Sequence, residues 1–303
     1  MHDIIVIGSG PAGLTAALYA RRANKSVLIM EKDGFGGQIT HSPKIENFPG
    51  FATVSGTELA DAMVEQALGQ GAEVELCEAK GLRKSEEGFT VLTDAGEFSA
   101  RAVILATGVK HRTLGLPREE ELEGNGLSYC AVCDGAFFAG REVCVIGGGN
   151  SALQEAVLLS ETASHVTVIQ NLDRLTGEEK LAEILRGREN VSFVFNSVVS
   201  ELLGDGELRG LQLKNTETGA LTELSCDGVF VCIGLVPNNA AFADLAACND
   251  WGYFDAGEAC TTTTPGIYVA GDCRAKSIRQ ITTATADGAV AALAACRFID
   301  YGN

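Results

Sequence analysis

Cys130 and Cys133 are separated by Ala131 and Val132 and followed directly by Asp134. Two thiols at that spacing close a very small ring when oxidised. Loop-closure gain grows with loop length, so such a disulfide is a poor staple. It is a good electron carrier, because the neighbouring thiol is always at hand for exchange. A carboxylate beside the pair can give or take the proton that thiol–disulfide chemistry requires. Three other readings compete. A zinc half-site lacks its complement: there is no second C-x-x-C, and His2, His41, His111 and His165 are scattered, so no metal site is expected. Two inert buried thiols are the second, and a structural disulfide, disfavoured in a reducing compartment, is the third. The other eight cysteines stand alone, mostly in apolar or small-residue surroundings, and read as packing residues.

A dithiol needs an electron source, and the flanking sequence offers two sites for one. Ile4–Ile7 is a short β-branched run, followed at once by Gly8-Ser9-Gly10-Pro11-Ala12-Gly13, a helical stretch from Leu14 to Ala23, and a strand Ser26–Met30 ending in Glu31. In this βαβ pattern the first glycine permits the turn, the second lets backbone approach a pyrophosphate, and the third lets helix and strand pack closely. Glu31 stands where a carboxylate accepts from ribose hydroxyls. Val143–Ile146 leads into Gly147-Gly148-Gly149-Asn150-Ser151-Ala152, a G-x-G-x-x-A turn, and then a helix and the strand His165–Ile169. The two turns repeat at a fixed offset. Two units suggest two electron carriers, or one present site and one decayed site.

The strand runs Val103–Ala106 before Thr107-Gly108, Val229–Ile233 before Gly234, and Ile267–Ala270 before Gly271-Asp272 close comparable units. An Ala-rich helix is expected over 280–296. The second unit therefore reads as inserted into the first, with 1–113 plus 241–303 forming one domain and 114–240 the other. The expected fold class is α/β, two Rossmann-like three-layer ββα dinucleotide-binding domains. Arg118–Glu123 reads as a solvated charged loop, and Trp251, the only tryptophan, as a packing residue.

Composition limits the partners. There are 23 Lys+Arg against 40 Asp+Glu, a net charge of −17, which repels phosphate backbones and argues against nucleic acid. No apolar run is long enough to span a bilayer, and no signal peptide is evident, so a soluble cytoplasmic protein without membrane contact is expected.

Gly8–Gly13, Gly36-Gly37-Gln38, Glu46–Gly50, Tyr129–Gly135, Gly147–Ala152, and Gly271-Asp272 with Arg279-Gln280 together resemble the low-molecular-weight thioredoxin reductases, nearly end to end. The resemblance implies a homodimeric FAD enzyme that passes two electrons from a donor to flavin, to the C-x-x-C disulfide, and on to thioredoxin. It implies Cys133 as the flavin-proximal sulfur, Cys130 as the one that attacks the protein substrate, and Asp134 as acid/base. It implies that FAD is held by Gly8, Gly10, Pro11, Ala12 and Gly13, by Glu31, Gly36, Gly37 and Gln38, by Asn47, by Thr107 and Gly108, and by Gly271, Asp272, Arg279, Gln280 and Ile281. In that family the inserted domain rotates, so that flavin meets nicotinamide and disulfide in turn.

The chain departs from the family at its second nucleotide site. NADPH-dependent members carry arginines after the strand that here ends at Ile169, gripping the 2′-phosphate by charge-assisted contacts. Here the stretch reads Gln170-Asn171-Leu172-Asp173-Arg174-Leu175-Thr176. Asn171, Leu172 and Thr176 occupy the arginine slots, and Asp173 repels a phosphate. Losing two or three such contacts at about 1.5–3 kcal/mol each disfavours NADPH. Gln170 takes the ribose-carboxylate slot, where it can bond a hydroxyl weakly. Gly147, Gly149, Asn150, Ser151 and Ala152 still offer a pyrophosphate turn. NADH, or a ferredoxin, flavodoxin or deazaflavin donor, remain as alternatives, the protein donors needing a basic patch at 110–112 or 274–279. Two further functions compete with a reductase: a flavin-dependent dithiol oxidase passing electrons to oxygen, and a redox-sensing flavoprotein without turnover.

Overall fold

The computed structural model describes residues 1–42 and 45–302. The chain forms two compact units, Met1–Lys110 with Val236–Asn303, and His111–Leu235.

The first unit opens with β1 (His2–Ile7), α1 (Pro11–Arg22), β2 (Val27–Glu31), α2 (Gly56–Gly69) and β3 (Glu73–Leu76). A meander follows, β4 (Ala79–Ser85), β5 (Gly88–Thr93) and the long β6 (Gly96–Leu105), and then β7 (Val109–His111). The first half of β6 pairs antiparallel with β5 and the second half parallel with β1. The inserted unit runs through α3 (Glu119–Leu122), β8 (Leu127–Ser128), α4 (Ala131–Asp134), β9 (Glu142–Ile146), α5 (Asn150–Leu159), β10 (His165–Ile169), α6 (Glu179–Arg186) and β11 (Val191–Val194). It continues through β12 (Ser197–Gly204), β13 (Leu208–Asn215), β14 (Leu221–Ser225) and β15 (Gly228–Val231). The chain then returns through β16 (Leu235–Pro237), β17 (Ile267–Val269) and α7 (Ile281–Tyr301). β16 pairs with β7. This short ladder between residues far apart in sequence marks the two crossings, which fall at 110/111 and 235/236 rather than at the 113/114 and 240/241 of the sequence reading.

Each unit is layered in the same way. β1 alternates: Ile4 and Val6 face the small residues of α1 and α7, while Ile5 and Ile7 face Phe89, Phe242 and Phe254. In the second unit the parallel sheet β11-β10-β9-β15-β8 is covered by α5 and α6 on one face and by the antiparallel β12-β13-β14 on the other. Within β9, Val143 and Val145 serve the helical face, Cys144 and Ile146 the other. This is an α/β fold of two Rossmann-like ββα units. Burial on both faces explains why these strands read as continuous apolar runs.

Two readings need correction. Trp251 is 76% exposed and packs in no core. Arg118–Glu123 is not a solvated loop: α3 buries Leu122, and Glu119 is 5% exposed. The Glu119 carboxylate accepts from the backbone N–H groups of Leu114, Gly115 and Leu116 and from the Tyr129 hydroxyl at 2.8 Å. A run of glutamates hides which one is turned inward.

Small residues let α1 and α7 touch. A Cβ on Gly288 would stand 2.2 Å from the Ala12 carbonyl oxygen. Gly288→Ala should gain about 1 kcal/mol of helix propensity, yet a backbone carbonyl cannot swing aside as a side chain can. A net loss of about 1–3 kcal/mol is expected in urea denaturation, since overpacking outweighs propensity; a stabilised variant would show that the two helices separate freely.

Candidate active site

The redox turn is built entirely inside the second unit. β8 ends at Ser128, and Cys130 starts the one-turn helix α4 that carries Cys133 and Asp134. Cys130 and Cys133 are joined as a disulfide with Cα atoms 5.3 Å apart. The backbone N–H of Cys133 points at Cys130 Sγ (3.2 Å), and that of Asp134 at the Cys130 carbonyl (3.0 Å). Ser128 Oγ accepts from the Cys130 N–H at 3.1 Å and donates to Asp134 Oδ2 at 2.6 Å. Asp134 Oδ1 is buried without a hydrogen-bond partner. Burial pushes this carboxyl above the usual range, and the Ser128 hydroxyl partly offsets the rise. A carboxyl held that way can carry a proton nearer neutral pH than a solvated one. Val132, between the sulfurs, is 51% exposed.

The second glycine turn lies in the same unit. A Cβ on Gly147 would stand 2.4 Å from the Cys232 carbonyl oxygen, so the turn admits only glycine there. Gly149 precedes α5, whose first residues are Asn150, Ser151 and Ala152, with no side-chain cap on its N-terminus. Gln170 is 5% exposed and folds beneath Gly148, where a Cβ would stand 2.6 Å from its amide. Both ends of that amide are engaged in its own loop: Oε1 accepts from Asn171 N–H at 3.2 Å, and Nε2 donates to the Arg174 carbonyl at 3.3 Å. The loop also closes on the turn, because the N–H groups of Thr176 and Gly177 and the Thr176 hydroxyl all donate to the Gly148 carbonyl. Asp173 and Arg174 pair with each other in solvent at 3.3 Å, and Leu172 is 42% exposed. No cationic pair faces this turn within the 170–176 stretch.

In the first unit the residues that the resemblance assigns to FAD are placed around the C-terminal ends of the parallel strands, where β2 and β6 flank β1 on opposite sides. Gly8 (φ +106°) turns against the Ala106 carbonyl, and a Cβ on Gly13 would stand 1.9 Å from the Gly8 carbonyl. Gly10 has open space instead, its nearest neighbour being the Gly36 oxygen at 4.0 Å. Pro11 and Ala12 open α1, which has no side-chain cap. The Glu31 carboxylate accepts from the N–H and hydroxyl of Ser9 (2.9 and 2.8 Å) and from the N–H groups of Lys32 and Asp33. Gly36 and Gly37, both at positive φ, pack on Ser9 and Gly10. Gln38 donates to the Val109 carbonyl (2.8 Å), Asn47 to Gln280 (3.2 Å), and Thr107, preceding Gly108, to Asn239 (2.8 Å). Gly271 (φ +83°) approaches Ala12. Arg279 donates to the Asp272 carbonyl, and Gln280 precedes Ile281, the first residue of α7.

Asp272 tests the fit to FAD. Its Oδ1 is buried with no hydrogen-bond partner, although the Lys276 ammonium lies 3.6 Å away. Burial raises this carboxyl above its usual range, against the pull of Lys276 and Arg279. A buried acceptor without a donor costs roughly 1–3 kcal/mol. A ligand hydroxyl satisfies it, and the uncapped α1 N-terminus with open space at Gly10 suits a pyrophosphate. The donor set fits the group.

Several functional residues escaped sequence reasoning. Asp287 and Arg274 form a buried bidentate pair, both distances 2.9 Å, and Asp287 also accepts from Lys276 and from the Gly271 N–H. This cluster holds the Gly271-Asp272 turn, and it buries Arg274 (3% exposed), so that guanidinium is withheld from a protein donor that would dock at 274–279. At 110–112, burial takes His111 down to about 4, so it adds no charge at neutral pH. Asn239, 1% exposed, bridges Thr107 to the Gly252 and Cys273 carbonyls. Ser128 and Glu155 complete the group.

The chain belongs to the pyridine nucleotide-disulphide oxidoreductase family, whose model matches residues 2–288. Within that class it is similar to thioredoxin reductases. The one from Listeria monocytogenes is 44% identical over 301 residues, covering 99% of this chain and 94% of that protein. The one from Bacillus subtilis is 42% identical, covering 99% and 95%. The crystal structure of thioredoxin reductase from Streptococcus pyogenes superposes with a TM-score of 0.93 at 39% identity, covering 99% of this chain and 98% of that one. The chain is thus a flavoprotein oxidoreductase of the thioredoxin reductase type, and its family implies FAD.

Two substitutions test the site. Ser128→Ala removes the bond that lowers the Asp134 carboxyl, so that carboxyl should titrate higher than in the wild type. Carboxyl NMR titration of labelled aspartate reads this; an unmoved or lower value would contradict the arrangement. Asp287→Ala strips buried Arg274 of its bidentate partner and leaves it the exposed Glu258 carboxylate at 3.0 Å, a loss of up to about 3–5 kcal/mol in denaturant unfolding, whereas a loss below about 1 kcal/mol would mean that Glu258 and water satisfy the guanidinium.

Proposed function

We propose that this chain takes two electrons from a donor other than NADPH and delivers them, through FAD and the Cys130–Cys133 disulfide, to the disulfide of thioredoxin or a thioredoxin-like protein. The observation that carries the reading is the redox turn, with its disulfide beside a buried, unpartnered carboxyl oxygen. FAD bound in the first unit would supply two-electron reduction of that disulfide. Gly10, the α1 N-terminus, Glu31 and Asp272 would hold it.

The residues of the turn divide the remaining work. Reduction breaks the Sγ–Sγ bond and leaves two thiols. Cys130, the outer sulfur by family resemblance, attacks the partner's disulfide as its thiolate, making a mixed disulfide and releasing one partner thiolate. Asp134 removes a proton from the pair and returns one to the leaving sulfur. Cys133 then attacks Cys130 Sγ, restoring the ring and freeing the reduced partner. The exposed Val132 gives an approaching partner an apolar contact beside the sulfurs.

The donor reading rests on the 170–176 stretch. No side chain there offers a 2′-phosphate a pair of charges, and the Gln170 amide is engaged in its own loop. That favours NADH, gripped by the glycine turn alone, or a reduced electron-transfer protein, over NADPH. A cytoplasmic homodimer is proposed on the same family grounds. Among the described residues, no helix is long and apolar enough to cross a membrane.

Anaerobic mixing of the purified yellow protein with each donor tests the reading. NADPH is expected to leave the flavin absorbance unbleached over seconds, while NADH or reduced ferredoxin bleaches it; rapid stoichiometric bleaching by NADPH would refute it. Cys130→Ser should lose thioredoxin turnover by at least 10³-fold, as removal of a nucleophile does. Retained turnover would move the chemistry elsewhere.

A further inference from the structure

The redox turn has a second carboxyl behind it. Glu155 lies on α5, and its Oε2 accepts from the Ala131 N–H at 3.0 Å and from the Cys232 thiol at 3.1 Å. Ala131 follows Cys130 directly, so the amide bound to Glu155 belongs to the first turn of the helix carrying both sulfurs. The Cys133 amide is the one that points at Cys130 Sγ (3.2 Å), while the Ala131 amide is committed to the Glu155 carboxyl. The other groups facing Glu155 are few. Asp134 approaches from α4, and Cys232 comes from the segment after β15. α6 packs on α5 with Ala182 and Leu185, β9 and β10 with valines, and the charged side chains of α6 point to solvent.

We propose that Glu155 is a positioning residue for the redox turn: it anchors the Ala131 amide and places a carboxylate behind the sulfurs, so that reduced Cys130 and Cys133 are held as thiols until Asp134 takes a proton. The inference rests on the redox role proposed above. Electrostatics agree, since burial raises the Glu155 carboxyl, the Cys232 and Ala131 bonds oppose the rise, and Asp134 adds to it. Cys232, pushed up by burial and by Glu155, stays a neutral donor.

The test equilibrates the holoprotein with reduced and oxidised dithiothreitol from pH 6 to pH 9. In that exchange the Cys130–Cys133 bond breaks and takes up two electrons and two protons, while dithiothreitol closes to its cyclic disulfide. Alkylation followed by mass spectrometry of tryptic peptide 119–141, which contains no other cysteine, counts the reduced pair. Glu155→Gln keeps an acceptor for Ala131 and removes the charge. It is expected to match the wild type at pH 6 and to favour the dithiol several-fold at pH 9, with about tenfold as the ceiling for a thiol pKa lowered by about one unit. Cys232→Ala, which frees the Glu155 carboxyl to rise further, should shift the curve the same way by a smaller factor near neutral pH. Coincident curves for both variants and wild type would overturn the inference. So would a shift in Glu155→Ala with none in Glu155→Gln, which would show an anchor without electrostatic effect. A wild-type pair that never reduces at any ratio would instead overturn the redox reading itself.

Discussion

A carboxyl that exchanges protons with sulfur has to be held beside it, and here one serine hydroxyl ties that carboxyl to the redox turn. Ser128 Oγ takes the Cys130 N–H and gives its own proton to Asp134, tying the end of β8 to the end of α4. That contact fixes where Asp134 sits relative to the disulfide and leaves one of its oxygens free inside the protein. The inserted unit supports this arrangement. β15 pairs with β8 and sets the height of Ser128, while α5 supplies the acceptor that fixes the next amide. A turn of only four helical residues has too few internal bonds to hold itself; the neighbouring elements hold it.

The two glycine turns show how one local fold can be kept for different ends. In the first unit the space at Gly10 is open, the helix N-terminus is uncapped, and a buried carboxylate oxygen lacks a donor. Those are features of a site shaped for a polar, anionic ligand. In the second unit the glycine turn has the same backbone plan, but the following loop has closed on it, with three donors on the Gly148 carbonyl and Gln170 beneath. Gln170 is a neutral amide, and both of its ends are bonded within its own loop.

Much of this was legible in the residues. Glycine spacing after an apolar run fixes a βαβ turn because only glycine tolerates the φ of Gly8 and Gly147 and their close carbonyl neighbours. The C-x-x-C with its aspartate is equally local. What could not be read depends on pairings distant in sequence. Glu155 meets Ala131 across 24 residues, and Arg274 meets Asp287 across 13. Glu119 looks like any other member of an acidic run until the Leu114–Leu116 amides are folded onto it. Trp251 was misjudged because size and hydrophobicity predict burial on average, whereas a single loop residue follows its backbone.

On the proposed reading, flavin and the Cys130–Cys133 pair form one electron-exchanging system. Anaerobic dithionite titration of the purified holoprotein, followed by flavin absorbance, tests it most directly. Uptake of four electrons per flavin is expected in the wild type, two for each centre, and two in a Cys130→Ser, Cys133→Ser double variant. A wild-type endpoint at two electrons, identical to the double variant, would contradict it.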